Sequence, residues 1–327
     1  HRNKNMKNLL ITSNGSFSCE EIISSLHGEA DCLVGTNIYP QYLVGVSHLF
    51  DYTYLIPKPD NHNYISTLLS ICKKHDIRYI FPLIDTEADI LSKNRNVFSN
   101  QGITVCLSNH KSITLCRNKY ALYKIFLHDS VITPIPTYSY ADIKKNQCEE
   151  LLKTSDIIAK PFNGRSSNGL IHLSDLSEID YIPNKERYVF QPKIKGNFFT
   201  ADYVRDSFGH DFSIVRKEIL RTQHGAGLSV KIKQNETVQN MISHLGKKLQ
   251  ILGAINAEFI FDGKQYYLMD VNPRFSAGIA FSRLAGYDIV KNHFLCFQNK
   301  EIEYETKIKT CYAVKRYISY ITRNNHD

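Results

Sequence analysis

Residues 266–274 read Tyr-Tyr-Leu-Met-Asp-Val-Asn-Pro-Arg, alternating apolar with polar side chains before delivering an acid, an amide and a guanidinium. Alternation of this kind is the period of a β-strand, so Asp270 and Asn272 fall on one face, about 7 Å apart. Two oxygen donors at that spacing suit a hard divalent cation that keeps phosphate oxygens in its shell. Arg274 just beyond can take a phosphate oxygen bidentately. The competing reading is a plain strand end, where Asp, Asn and Pro start turns.

The preceding run, residues 253–261, is also strand-like, and Asp262-Gly263 joins the two as a hairpin. Register decides whether Glu258 reaches the same site, because one residue of slip moves a side chain to the other face. A two-residue turn would pair Phe261 with Lys264 and turn Glu258 away from Asp270. We expect instead a three-residue loop closing on a left-handed Gly263, which pairs Ile260 with Lys264 and sets Glu258, Tyr266, Leu268, Asp270 and Asn272 on one face. Glu258, Asp270 and Asn272 are then the expected metal ligands.

Asn256-x-Glu258 followed by Asp270-x-Asn272-Pro273-Arg274-Phe275-Ser276 resembles the metal-binding end of the ATP-grasp superfamily. Within it the pattern is that of the carbamoyl-phosphate synthase large subunit and of the amino-acid and peptide ligases built like it. The resemblance runs from about Arg117 to Arg283 and more loosely over the N-terminal third. It implies an α/β and α+β fold in three parts: an N-terminal Rossmann-like pre-ATP-grasp domain over 6–112, a small lid with connecting helices over 113–186, and a C-terminal α+β lobe over 187–327 that carries the metal and phosphate site. ATP and Mg²⁺, with Mn²⁺ as a substitute, are the implied cofactors. Such proteins phosphorylate a carboxylate and let an amine displace the phosphate, so small-molecule carboxylates and amines are the implied partners. A homodimer is a common assembly among them.

The rest of the chain agrees with a soluble enzyme. Its 327 residues suffice for two to three domains, and 43% hydrophobic with 22% charged residues is ordinary for a globular protein. No apolar run has the length of a membrane span, and no signal-peptide pattern opens the sequence. The residues before Met6 are left out of the fold reading. Eight scattered cysteines, without any C-x-x-C pair, read as reduced thiols of a cytoplasmic protein. The net charge of +8 is dispersed in pairs such as Lys73-Lys74 and Lys247-Lys248, which argues against a nucleic-acid partner and for a surface that attracts anionic small molecules.

The first third alternates short apolar runs, at 8–11, 30–34 and 79–83, with helical spacing such as that from Glu20 to Leu26, the rhythm of a parallel sheet. No G-x-G-x-x-G follows the first run, so the dinucleotide fingerprint is absent. Asp85 and Glu87 sit where a sheet strand ends, a place where ligands bind in open α/β sheets. They could touch a cationic substrate, but capping of the helix from Glu87 to Leu91 is the preferred reading. Helical spacing then runs from Ser112 through Phe126.

A second constellation lies at 157–173. A buried strand ends in Lys160, a loop rich in small residues that includes Ser166 and Ser167 follows, and a return strand begins at Leu170. Small residues let backbone N–H groups approach phosphate oxygens, with the lysine as a point charge beside them. It is not a Walker loop, which needs G-x-x-x-x-G-K-[ST] leading into a helix. An ordinary polar hairpin is the competing reading, but Lys160 about a hundred residues before the acid-amide-arginine strand matches ATP-grasp order.

The resemblance carries further residues with it. Lys119 corresponds to the lysine that reaches the nucleotide phosphates, with Asn118 where relatives carry aspartate. Gln191, Pro192, Lys193 and Ile194 correspond to the inter-lobe hinge that meets the adenine edge. Arg216 becomes a candidate to stabilise an acyl phosphate or grip an acidic substrate, and Asp202 is read as structural. Arg274, Arg216 and Lys160 form the expected catalytic set. Two departures stand out: Phe198 occupies the position of a ribose-binding glutamate, and Ala277 replaces the first of two glycines after Ser276. A short helix ending at Gly286 is expected to offer its N-terminal N–H groups to a substrate carboxylate. The implied activity is amide or peptide bond formation through an acyl phosphate, releasing ADP and phosphate. Kinase-type transfer to a carboxylate or carbamate, or a non-catalytic ATP-binding module, are the alternatives.

Overall fold

The computed structural model describes residues 7–164, 169–319, 321 and 322. Five short strands, β1 (Asn8–Ile11), β2 (Cys32–Asn37), β3 (Tyr52–Leu55), β4 (Tyr79–Phe81) and β5 (Thr104–Val105), form a parallel sheet in the order β3-β2-β1-β4-β5. Helices α1 (Cys19–Leu26), α2 (Tyr64–Lys74), α3 (Asp85–Lys93) and α4 (Arg95–Ser99) alternate with them. Because helices cover both faces, the strands are aliphatic throughout: Leu9 and Ile11 pack into one core, and Leu10, Val34 and Ile80 into another. The strand order reverses between β1 and β4, so the exits of those two strands border the crevice where such sheets take ligands.

Where the sequence suggested one helix from Ser112 to Phe126, there are two, α5 (His110–Arg117) and α6 (Lys119–Phe126). Asn118 leaves helical geometry at φ −101°, ψ 101°. Its side chain accepts from the Ala121 N–H at 3.0 Å, so the asparagine caps the new helix as an aspartate would. Helical periodicity survives such a break because both halves bury the same stripe. The break makes Lys119 the first residue of α6, with its N–H donating to Phe162 O at 2.9 Å.

After β6 (Thr133–Pro134), the elements β7 (Tyr138–Ser139), α7 (Tyr140–Lys144), α8 (Glu149–Leu152), β8 (Ile157–Pro161), β9 (Ile171–Leu173) and β10 (Tyr188–Pro192) build an antiparallel four-stranded sheet ordered β7-β10-β8-β9. Cys148, Leu151, Ile157, Ala159 and Phe190 give it a core of its own. A third, seven-stranded sheet takes β11 (Asn197–Arg205), β12 (Asp211–Arg221), β13 (Gly227–Ile232), β14 (Gly253–Phe261), β15 (Tyr266–Asn272) and β16 (Cys311–Val314), and it recruits β6 from upstream, in the order β16-β13-β12-β11-β14-β15-β6. The helices are α9 (Glu236–Lys248), α10 (Ile279–Leu284) and α11 (Ile289–Phe297). Val238, Met241, Ile242 and Leu245 of α9 recur at helical spacing and are buried with Ala201, Val215, Ala257 and Phe259 of the sheet. Each such side chain contributes about 1.5–3 kcal/mol by leaving water, which clamps one face of the sheet and leaves the other for the site.

The hairpin of β14 and β15 differs from the expected register. Phe261 pairs with Tyr266 across the four residues 262–265, not Ile260 with Lys264. Asp262 Oδ1 accepts from the N–H groups of Lys264 (2.8 Å) and Gln265 (2.9 Å), and Gly263 supplies φ +101°. This Asx-type loop outcompetes the shorter one by satisfying two turn donors. Tyr266 and Leu268 consequently pack into the core and do not share a face with Asp270. A bulge at Met269 then adds one residue to β15, so that Phe259 pairs with Leu268 but Glu258 pairs with Asp270. Strict alternation from Leu268 would have buried Asp270 in the core; the bulge re-aims it.

All eight cysteines are free. Among the described residues no helix is long and apolar enough to cross a membrane.

Candidate active site

Antiparallel register lays the polar residues of the large sheet out in rows. Asp270 pairs with Glu258, Glu258 with Thr200, and Thr200 with Arg216, so one row crosses β15, β14, β11 and β12. Asn272, Asn256 and Asp202 form the next row on the same face. With strands about 4.8 Å apart, charges far apart in sequence become neighbours. The four-stranded sheet closes over these rows, leaving a cavity of about 500 Å³. Lys119, Lys160, Gln191, Pro192, Lys193, Ile194, Arg216, Glu258, Asp270, Asn272 and Arg274 all line it, whereas Ser166 and Ser167 fall outside the described residues.

One end of the cavity is dense with paired charge. Lys119 Nζ donates to Asp270 Oδ1 at 3.1 Å and to Gly164 O at 3.2 Å, tying α6 to both the carboxylate and the loop after β8. Arg221 Nη2 donates to Glu258 Oε1 at 2.9 Å, while its Nε holds Gly225 O at 2.8 Å. Burial first, and the Asp270 charge besides, push the Glu258 carboxyl above its ordinary range against the pull of Arg221. Lys160 is held down to about 8 by burial and by the like charge of Lys119, with Asp270 and Glu258 opposing. Arg216 is buried, donating to Asp202 Oδ2 (2.5 Å), Glu218 Oε1 (3.1 Å) and Ser276 Oγ (3.2 Å).

The other end is apolar. Ile135, Ile158, Leu170, Ile260 and Met269 line it together with the hinge residues 191–194. Gln191 is buried and spends its side-chain amide on Thr137 Oγ1 at 2.7 Å, and the Lys193 N–H donates to Asp156 O at 2.9 Å. Gly196 has to be glycine, because a Cβ there would stand 2.1 Å from Phe261 O. Phe198 faces the cavity with the Arg221 guanidinium 5.0 Å above its ring.

The donors at the charged end fit a hard cation. Glu258 and Asp270 supply carboxylate oxygens from paired positions. Asn272 is held by an Nδ2 bond to Asn256 Oδ1 at 3.1 Å, which orients its own amide.

Two expectations need correction. The N-cap position of α3 is Ile84, and Asp85 and Glu87 lie inside its first turn. Asp85 is buried in an ion pair with Arg274 instead, with Nε to Oδ1 at 3.2 Å, while Glu87 accepts from Thr12 Oγ1 (2.5 Å) and Tyr64 OH (3.0 Å). Tertiary partners from other segments outweigh a local cap. α10 is only six residues long, and the N–H groups of Ile279 and Phe281 are spent within its own turn, on Ser276 O and Gly278 O. The sequence does not single out Glu218, and it gives Arg221 and Asn256 no role of their own. Glu218 keeps the two-residue alternation of Arg216, whereas Arg221 lies beyond a register shift in β12 and meets Glu258 only across the sheet.

Residues 116–278 match the ATP-grasp domain family, and residues 44–106 match the N-terminal domain of PylC-like proteins. The chain belongs to the ATP-grasp superfamily. Carbamoyl phosphate synthase large chain of Thermoplasma volcanium is 30% identical over 100 residues, 28% of this ATP-grasp chain and 10% of that protein. The match thus spans about a tenth of the length of this curated relative. Among solved structures, biotin carboxylase of Campylobacter jejuni superposes with a TM-score of 0.76 at 13% identity, over 93% of this chain and 73% of that one. N5-carboxyaminoimidazole synthetase of Staphylococcus aureus gives 0.73 at 12%, over 93% and 81%. The biotin carboxylase domain of Hydrogenobacter thermophilus 2-oxoglutarate carboxylase, solved with MgADP and bicarbonate, gives 0.75 at 15%, over 94% and 73%. At these identities the likeness is one of fold.

Proposed function

We propose that this protein is an ATP-dependent carboxylate–amine ligase that works through an acyl phosphate. The observation that carries the reading is the convergence of Lys119, Lys160, Glu258, Asp270, Asn272 and Arg274 on one cavity with an apolar far end. A nucleotide would lay its base at residues 191–194 and its phosphates toward the charged rows. Glu258, Asp270 and Asn272 are the residues that would hold Mg²⁺, or Mn²⁺ in its place, which neutralises phosphate charge when bound.

The substrate carboxylate attacks the γ-phosphorus, the bond to the β-phosphate oxygen breaks, and ADP leaves. Lys119, Lys160 and Arg274 offset the charge on the moving phosphoryl group. An amine then attacks the acyl carbon, the phosphate departs, and the amine proton passes to solvent. Positioning and electrostatics supply the rate in such transfers. Arg216, held by two carboxylates, presents a fixed positive edge beside Ser276 for an acidic substrate or the acyl phosphate. We read the partners as small carboxylates and amines, with a homodimer as the assembly to look for.

Phe198 favours one second reading, a module that binds ATP without turning it over, because the hinge lacks a carboxylate at that place. ADP release with Mg-ATP, screened against pools of carboxylic acids and amines with and without hydroxylamine, separates the readings. ADP and a hydroxamate appearing with one pool support the ligase. Acyl phosphate that accumulates without any amine dependence points to kinase-type transfer, and binding without turnover in any pool points to the module.

A further inference from the structure

Asp85 opens α3 of the leading domain, just past the exit of β4, and the two arginines it meets belong elsewhere. Arg274 grips it by two contacts, Nε to Oδ1 and Nη2 to Oδ2, both at 3.2 Å. Arg117 Nη1 stands 3.8 Å from Oδ2, and the same guanidinium donates to Asn163 O at 2.9 Å and stands 3.4 Å from Asp89. Asp85 is 2% exposed and Arg117 8%, while Arg274 reaches the cavity. One buried carboxylate therefore touches the cation at the phosphate end and the cation that holds the loop after β8.

We infer that Asp85 is the positioning residue that fixes the Arg274 guanidinium toward the terminal phosphate and, through Arg117, couples that arginine to the backbone at Asn163, just past β8. A guanidinium is planar, and a carboxylate that takes a hydrogen bond from Nη2 while its other oxygen stands 3.2 Å from Nε constrains both its place and its plane. Arg274 also donates from Nη1 to Phe275 O at 3.0 Å, so the backbone fixes one edge and Asp85 fixes the other. The leading domain thereby becomes a working part of the phosphate site. Asp85 itself does not meet the nucleotide.

The inference rests on the proposed placement of the terminal phosphate beside Arg274. Calorimetric binding of a non-hydrolysable ATP analogue and of ADP, each with Mg²⁺, tests it in the intact chain. Asp85→Asn is expected to weaken the analogue about tenfold, the ~1.4 kcal/mol of one lost charged contact, and to leave ADP unchanged. In an Arg274→Met background the same change is expected to have no further effect, because Asp85 acts through Arg274. Analogue affinity equal to wild type in Asp85→Asn, an equal loss for ADP, or additive losses in the double variant would each overturn it. If Asp85→Asn does not fold, Arg274→Lys serves: it keeps the charge but not the two-point grip, and unchanged analogue affinity sinks the inference. A wild-type protein that binds neither nucleotide rejects the ligase reading and this inference together; a wild type that binds both, with variants indifferent, rejects the inference alone.

Discussion

The two ends of the cavity are made of opposite materials. At the phosphate end every acid that lines it is matched to a cation: Asp270 to Lys119, Glu258 to Arg221, Glu218 to Arg216. At the hinge end Ile158, Leu170, Ile260 and Met269 line the cavity together with residues 191–194, and the buried amide of Gln191 is occupied by Thr137. A charged end suits work on transferred charge, because fixed ions in a partly dry site need no reorganisation when charge moves. An apolar end suits holding a flat ring by contact area. The difference predicts that changes at one end alter turnover and changes at the other alter affinity.

The largest expected effect is on chemistry. Asp270→Ala removes a carboxylate proposed to hold the cation and takes from Lys119 its carboxylate partner, and we expect at least ~10²-fold slower ADP formation with nucleotide affinity much less affected. Wild-type turnover in that variant would break the comparison at its charged end. Next, Arg216→Met leaves Asp202 and Glu218 buried without their cation, at a cost of about 3–5 kcal/mol in stability, which urea unfolding measures. A loss below 1 kcal/mol would show that these carboxylates find other partners.

At the hinge, Gly196→Ala sets a methyl against Phe261 O and is expected to destabilise the protein by about 1–3 kcal/mol as the backbone shifts. The same variant sharpens the contrast if nucleotide Kd rises while turnover of bound nucleotide does not change. The smallest effect is the pH dependence of Lys160. Its ammonium titrates near 8, against 10.5 for an ordinary lysine. Between those values the unfolded chain binds more protons than the folded one, so stability of the ligand-free protein rises with pH through that window. Attraction for phosphate needs the charged form and falls as pH passes 8. Opposite slopes in thermal midpoint and in Mg-ADP affinity are the expected result, and Lys160→Gln flattens both.

Much of the charged end was legible in the chain itself. Asp270 and Asn272 stand two residues apart, which a strand turns into a shared face without help from the rest of the fold, and Arg274 follows just past the strand end. Lys160 ending an apolar run before a loop of small residues was equally plain. The hairpin is legible in outline, but its loop is one residue longer than the pattern predicts, and the bulge at Met269 leaves no mark in the pattern, because a bulge answers to how Leu268 and Asp270 must divide between core and cavity. The helix break at Asn118 was hidden for a related reason: the apolar stripe continues across it.

What the sequence determined by itself is local: strand and helix periods, the residue types at the strand end, and the order of lysine, loop and acid-amide-arginine along the chain. What the tertiary structure decided is which charges meet. Arg221 reaches Glu258 across 37 positions, Lys119 reaches Asp270 across 151, and Arg274 reaches Asp85 across 189. Periodicity carries no information about partners so distant. They are chosen by sheet register and by the docking of one sheet over another, where a buried charge has to find its opposite or be expelled.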